Sequence, residues 1–591
     1  MKSKMKRRFA AAIATLLIAA TAVGCGTVIN PDIDKDKTYL YVMAYDGGFG
    51  TDWLEKVAAR FEDKYKDYKI GDKVGVKVDI EATRDTGATV FSKMAVQSKD
   101  VYYLFFGEGG SYSDFLSRDY LLDITDVLTE KPDNQEHSIL SALDSQLKEY
   151  YGVKSGNEEK YYAVPYTTSF THISYDEELF YNEGLFLTRE YDQNGNEGKV
   201  DNYLITKVSQ NVADTNKKYS DIVEEGGKKY VKTTKGDYLS MGPDGEYGTY
   251  DDGMPRTFKE FFNLCEYMAN ETQVLPFLFF GGNGKGEAYL RQALVNVAAT
   301  VNGFDNVKTQ YTMNGTLDNL ISVNDDGSVS PLKAETLTPD NSSGNALSQF
   351  RQEGYYRAYE FAKKIFDNDS KYCHTECFGP DDQFHAQETF MLSVKDKSKA
   401  AFLVDGTWWE HEAAESANNI ADEYGEGYRL VNRRFKLLNM PKYSLKDVGK
   451  KSTVVSGASD AFILSKIDES KKELAKKFLQ MSLTDEGNAE YTVTTGLPRP
   501  YAYTLSDAQY ASLTTMQKGL WELMKNGSFV YNKSGSEWLS KNEVYSSYYA
   551  MAVNINKTDY NNIIEIFSEK KFTAKQAFDG FNAFITNKFG K

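Results

Sequence analysis

Four acids crowd one short stretch of the chain. In MGPDGEYGTYDDG (Met241 to Gly253), Asp244, Glu246, Asp251 and Asp252 sit among glycines. Hard carboxylate oxygens on a pliable loop suit Ca²⁺. The spacing is not that of an EF-hand, because Pro255 stands where the bidentate Glu belongs. YDQNGNEG (Tyr191 to Gly198) has similar chemistry. An acidic hairpin with Asp-Gly turns fits the same residues. Any calcium would be structural, and no cofactor is required. A second cluster, YCHTEC, offers Cys373, His374 and Cys377, one short of the four ligands of a structural zinc site. Surface thiols or one local disulfide fit it as well. The sequence has no GxSxG and no HExxH, and its five His are scattered. A hydrolase working through two carboxylates cannot be read from acid content when 85 acids make chance pairs inevitable.

The elements that would position such groups follow an α/β rhythm. Tyr39 to Ala44 is an apolar run that reads as a buried strand, followed by the turn DGGFG, Asp46 to Gly50. Trp53, Leu54, Val57, Ala58 and Phe61 then share one helical face. Val74, Val76, Val78 and Ile80 alternate as in a strand. Val101 to Phe106 is another apolar run, ending in GEGG. This order predicts a largely parallel sheet with ligand-binding loops after the strand ends, at Asp46–Gly50 and Gly107–Gly110. Residues 187–255 and 314–347 are polar and rich in turn formers, and read as insertions of hairpins and loops.

Composition narrows the class. The 591 residues exceed one core, so two or three domains are expected. Tyr, Phe and Trp make 14% of the chain, a supply of faces for stacking on sugar rings as well as for core packing. The first residues are basic (Lys2, Lys4, Lys6, Arg7, Arg8), and an apolar run, Phe9 to Val23, follows. Gly24 and Cys25 come next. This is the pattern of a secretory signal rather than a membrane-spanning helix. The Cys after a small residue resembles the lipobox of bacterial lipoproteins, although Ala22 stands where Leu is usual. The resemblance implies that residues 1–24 are removed, Cys25 carries the lipid, and 25–37 form a tether. Removing the five cations takes the formal charge from −16 to −21. So acidic a surface repels nucleic-acid phosphates.

Four segments in order resemble the extracellular solute-binding proteins of bacterial ABC importers, in the sugar-capturing branch. They are YYAVPYTTSFTHISYDEELFYNEGL (Tyr161 to Leu185), PRTFKEFFNLCEYM (Pro255 to Met268), KAAFLVDGTWWEHE (Lys399 to Glu412), and the stretch from VVSGASDAFILSK to TTGLPRP (Val454 to Pro500). Thr257 with Glu260 reads as a capping box opening the second. The resemblance implies a two-lobed α/β fold of the periplasmic-binding-protein kind, with a central cleft and discontinuous lobes. One lobe would be 38–164 plus 453–500, the other 165–452 plus 501–591. It implies a monomeric, non-enzymatic protein on the outer face of a Gram-positive cell membrane, delivering a carbohydrate to the permease. The extra length favours an oligosaccharide. The cleft residues implied are Asp46, Phe49, Glu108, Tyr166, Asn283, Trp408, Trp409 and Arg499. A secreted glycan hydrolase and a surface glycan-binding adhesin are the competing classes.

Overall fold

The computed structural model describes residues 34–84, 102–108, 112–189, 203–206, 222–225, 228–231, 239–246, 249–282, 287–339, 346–367, 371–379, 382–395, 398–533, 536, 538–539, 544–545 and 550–590. The signal segment, Cys25, Gly109, Gly110 and Asn283 lie outside them.

The elements that build the site are, in chain order, β1 (Thr38–Tyr45), α1 (Asp52–Lys64), β2 (Val76–Thr83), β3 (Leu104–Gly107), β4 (Val164–Ser169), β5 (Thr171–Asp176), α2 (Phe258–Glu271), β6 (Val274–Phe279), α3 (Ala288–Asn302), α4 (Phe304–Thr312), α5 (Glu353–Phe366), α6 (Gln383–Leu392), β7 (Lys399–Gly406), α7 (Trp409–Glu412), β8 (Phe435–Leu437), β9 (Thr453–Ile463), α8 (Glu469–Ser482), α9 (Asp485–Thr495), α10 (Thr515–Asn526), β10 (Ser528–Tyr531) and α11 (Ala574–Phe589).

Two sheets organise the molecule. The first runs β10–β9–β3–β1–β2, with β4 also paired to β9. β1 is parallel to β2 and β3, so their carboxyl ends share one edge. The second runs β6–β7–β5–β8. α1 buries Trp53, Leu54, Val57, Ala58 and Phe61 against the first sheet, the face its periodicity predicts. The alternating valines are split: Val76 and Val78 are buried in β2, whereas Val74 is exposed on a separate short strand. Gly75, at φ +85°, makes the turn between them, a conformation that costs a side-chain-bearing residue energy.

Among the described residues, the chain passes between the sheets at three places. β4 lies in the first sheet and β5, one residue on, in the second, so Phe170 is a crossing. The segment after β8 returns to the first sheet as β9, and α10, packed on β8, leads back to it as β10. The fold is therefore a two-lobed α/β structure with discontinuous lobes. Hairpins decorate the second lobe, among them Phe186–Arg189 with Tyr203–Thr206 and Gly315–Leu317 with Glu335–Leu337. Among the described residues, no helix is long and apolar enough to cross a membrane.

Local caps follow the sequence with one shift. Thr257 accepts the Glu260 amide at 3.3 Å and so caps α2. The Glu260 carboxylate does not return to Thr257. It accepts the Arg256 backbone N–H at 2.7 Å and also holds the Arg256 guanidinium, so the reciprocal half of the box moves back one residue. Thr484 caps α9 through the Gly487 N–H.

Candidate functional site

The end of β1 and the end of β7 face each other across the lobes. Gly406 pairs with Thr171, the residue after the first crossing, so Trp408 emerges beside the hinge. A side-chain carbon at Gly48, in the loop after β1, would overlap the Trp408 indole, as would one at Gly406. Glycine at both positions lets the two backbones close on this ring from opposite lobes. Tyr289 of α3 meets the indole edge-on, with centroids 5.8 Å apart and planes at 79°. Next to it, His411 packs on Gly50 and hydrogen-bonds the backbone of Thr494, both in the first lobe. Burial lowers the His411 pKa, while Asp52 and Asp46 oppose that shift.

Beneath these contacts is a cavity of about 210 Å³. Glu108 after β3 and Trp408 after β7 line it from the two lobes, and Ser169, Ser456 and Asn532 line it from the three crossings. Its far end, in the second lobe, is aromatic: Tyr311 of α4, Tyr355 of α5 and Tyr545. Tyr311 and Tyr545 have centroids 4.2 Å apart. The Tyr545 hydroxyl donates to the Gln310 carbonyl at 2.8 Å, which fixes that wall. Burial raises the Glu108 pKa, and a hydrogen bond with Tyr45 counters part of the rise. Among the described residues lining the cavity there is no Lys or Arg, and Glu108 is the one acid. Such a surface matches a neutral, hydroxylated ligand: aromatic faces for rings, with amides, hydroxyls and one carboxyl for hydroxyl groups.

Of the residues expected in the cleft, Glu108 and Trp408 line the cavity, and Asp46 lies at the lobe contact, near enough to His411 to shift its titration. The Asp46 N–H donates to Thr83, extending the β1–β2 pairing into the loop. Phe49, Tyr166, Trp409 and Arg499 are core residues instead. Phe49 is buried against Tyr45, Tyr166 and Tyr491. Tyr166 stacks on Trp53 at 5.9 Å and meets Phe106 edge-on. Trp409 is fully buried against Phe390 and Phe435, and its indole N–H donates to Ser174 at 3.3 Å. Arg499 is 1% exposed, with its guanidinium over Trp53 and Tyr491 at 4.5 and 3.9 Å. It donates to the Ser482 carbonyl at 2.6 Å and to Asn488, tying α8 to α9. Asn283 lies outside the described residues.

Several cleft residues carried no motif. Tyr45 directly precedes Asp46. Tyr289, Gln292 and Asn296 are polar interruptions in the apolar helix α3, which was the available signal.

The described residues of the acidic loop do not assemble an ion site. Asp251 is buried, and its oxygens accept from Asn439 at 2.7 Å, Thr249 at 3.0 Å and the Asp244 amide at 3.2 Å. Burial, then Asp244, push its pKa up to about 8. Asp244 in turn accepts the Glu246 N–H at 2.8 Å. Among the described residues, no group of three His, Cys, Asp or Glu side chains is placed to hold a metal. These carboxylates organise the loop itself. The second cluster resolves likewise: Cys373 and Cys377 are buried free thiols in contact, and His374 accepts the Glu376 N–H at the start of a short 3₁₀ turn.

No protein-family profile matches the chain, and no curated sequence does. Among the solved structures similar to it over nearly its whole length are sugar-binding proteins. A chitin oligosaccharide binding protein shares 13% identity at a TM-score of 0.48, covering 94% of this chain and all of that one. The solute-binding protein RafE, in complex with raffinose, shares 12% at 0.49, covering 93% of this chain and all of its own. An ABC-transporter binding protein from Bifidobacterium animalis subsp. lactis, in complex with mannobiose, shares 12% at 0.49, covering 94% of each.

Proposed function

We propose that this chain is the ligand-capturing subunit of a bacterial ABC importer and that its ligand is a neutral carbohydrate. The observation that carries this reading is the cavity between the lobes, with Trp408 and Glu108 contributed from opposite sides and no Lys or Arg on its described lining. A ring sugar presents an apolar C–H face to an indole and hydroxyls to a carboxyl or amide. The second aromatic wall, at Tyr311 and Tyr545, favours an oligosaccharide whose further ring stacks there. A lipid on Cys25 would hold the protein on the outer face of the membrane, beside its permease. Hinge closure on the sugar would then present the permease with a surface the empty form lacks.

Binding without turnover is the expected chemistry. Hydrolysis by two flanking carboxylates requires a partner for Glu108, and the described lining supplies none. The test is a thermal-shift screen of the purified mature chain against neutral oligosaccharides, followed by calorimetry on the hits. A saturable rise in melting temperature with the sugar recovered intact supports the reading. Cleavage of the bound sugar, or no rise across maltose-, xylan-, mannan-, chitin- and raffinose-type oligosaccharides, sinks it. Cys25→Ala should release the protein from membranes, and retention would place the anchor elsewhere.

A further inference from the structure

The segment Tyr372 to Gly379 runs beside β6, and none of its residues lines the cleft cavity. The Phe277 N–H donates to the Tyr372 carbonyl at 2.7 Å, and the Phe277 carbonyl accepts the His374 N–H at 2.8 Å. Both cysteines of YCHTEC are therefore seated on Phe277. Cys373 lies opposite it in the backbone pairing, and the Cys377 thiol donates to its carbonyl at 3.6 Å. The chain between the two is fixed. The Cys377 N–H donates to the His374 carbonyl at 3.0 Å, and Nδ1 of His374 accepts the Glu376 N–H at 3.2 Å.

Two thiols that touch differ from two that are merely buried. Cys373 is 6% exposed and Cys377 is fully enclosed, and their side chains contact each other. A disulfide needs side chains that converge across a fixed span of chain, and this turn supplies both conditions. Cys265, on α2, is fully enclosed too, and packs as a small apolar group among core side chains. Burial, then the adjoining Cys377 thiol, raises the Cys373 pKa, so its reactive thiolate is scarce at neutral pH. The turn also supports its neighbour. A side-chain carbon at Gly281, just after β6, would lie 1.9 Å from the Cys377 carbonyl oxygen, so the two backbones are in close contact. Gly281 leaves the carboxyl end of β6, on the edge that β6 shares with the parallel strand β7.

We propose that Cys373 and Cys377 are a redox site, closing to an intramolecular disulfide that locks the turn beneath Gly281. The oxidant is a small-molecule disulfide, RSSR. One cysteine thiolate attacks it, forming a mixed disulfide and releasing RS⁻. The second cysteine thiolate attacks the protein sulfur of that mixed disulfide and releases the other RS⁻. The two protein thiols give up two electrons and two protons, and RSSR becomes two RSH. An exported chain meets a medium in which such a bond persists. The reaction itself depends neither on where the chain resides nor on what the cleft binds.

The test uses the folded, reduced mature chain carrying Cys25→Ala, so that this thiol cannot interfere. It is incubated with 2-hydroxyethyl disulfide at about pH 8.5, near the ordinary thiol pKa, then acid-quenched, denatured, alkylated and mapped by mass. Both cysteines fall in one tryptic peptide, Tyr372 to Lys395. That peptide should be recovered unalkylated and about 2 Da below its dithiol mass, while Cys265 should be alkylated. The oxidised protein should melt roughly 2 °C above the reduced one, and dithiothreitol should reverse the shift. Cys377→Ala should stop at the mixed disulfide on Cys373. Mapping of the chain with both cysteines decides the outcome if that variant lacks a cooperative melting transition. Alkylation of both thiols, a bond to Cys265, or reagent retained on Cys373 while Cys377 is present overturns the proposal. So does a linked peptide with an unchanged melting temperature.

Discussion

The side-chain oxygen of Asn296 accepts the backbone N–H of Val455 at 2.7 Å. The amide nitrogen of the same residue donates to the Thr171 carbonyl at 3.1 Å. One side chain on α3 therefore pins two of the three crossings to the second lobe. Asn296→Ala should cost about 1–3 kcal/mol, from two lost hydrogen bonds and the polar groups left behind. It should also broaden the range of lobe angles. Denaturant unfolding with small-angle scattering checks both, and unchanged scattering with lower stability would confine Asn296 to a packing role.

Trp408 and Trp409 are neighbours with opposite duties. Trp408→Ala should leave the fold intact and weaken carbohydrate binding by about 2 kcal/mol or more, roughly thirtyfold in Kd. Trp409→Ala should cost about 3–5 kcal/mol of stability by opening a cavity against Phe390 and Phe435. Calorimetry and melting curves on the pair test the division, and the reverse pattern would overturn it.

The His411 contact makes closure sensitive to acid. Burial between the lobes lowers its pKa, so the closed form favours the neutral ring. Opening exposes the ring and returns it toward its ordinary value near 6.5. The stabilisation of the closed form is therefore full above that value and is lost as pH falls through it. Ligand affinity should drop on going from about pH 7.5 to about pH 5.5, and His411→Gln should flatten the drop. An identical pH profile in the variant would assign the effect to another group.

Arg433 and Asp176 form an ion pair that is 1% and 0% exposed at the side chains. Removing one partner strands the other charge out of water. Arg433→Ala should cost about 3–5 kcal/mol at neutral pH. Urea unfolding checks it.

What could be read from the chain was what depends on near neighbours. The α1 stripe from Trp53 to Phe61 needs only helical spacing and one apolar surface to meet. The loop after β1 needs only the rule that parallel strands present their carboxyl ends together. Which of two adjacent tryptophans faces the cleft is different. It depends on α7 starting at Trp409 and turning that ring onto Phe390 and Phe435, residues near in space and not in sequence. Arg499 looked like a cleft cation because its neighbours in the chain do not reveal that its guanidinium would lie over Trp53, more than four hundred residues earlier, as well as over Tyr491. The acidic loop looked like an ion site because its composition does not reveal that Asn439, nearly two hundred residues on, would occupy Asp251.

The pairing of β3 with β9 joins Leu104 to Ile463. During synthesis that edge of β3 waits for its partner while more than three hundred residues are added, roughly 20–70 s at ordinary elongation rates. Over that interval the growing chain carries an unsatisfied strand edge, a template for aggregation. It also cannot complete the first sheet. The discontinuity that makes a hinge in the finished molecule thus acts earlier as a timer, delaying the fold until nearly the whole chain exists.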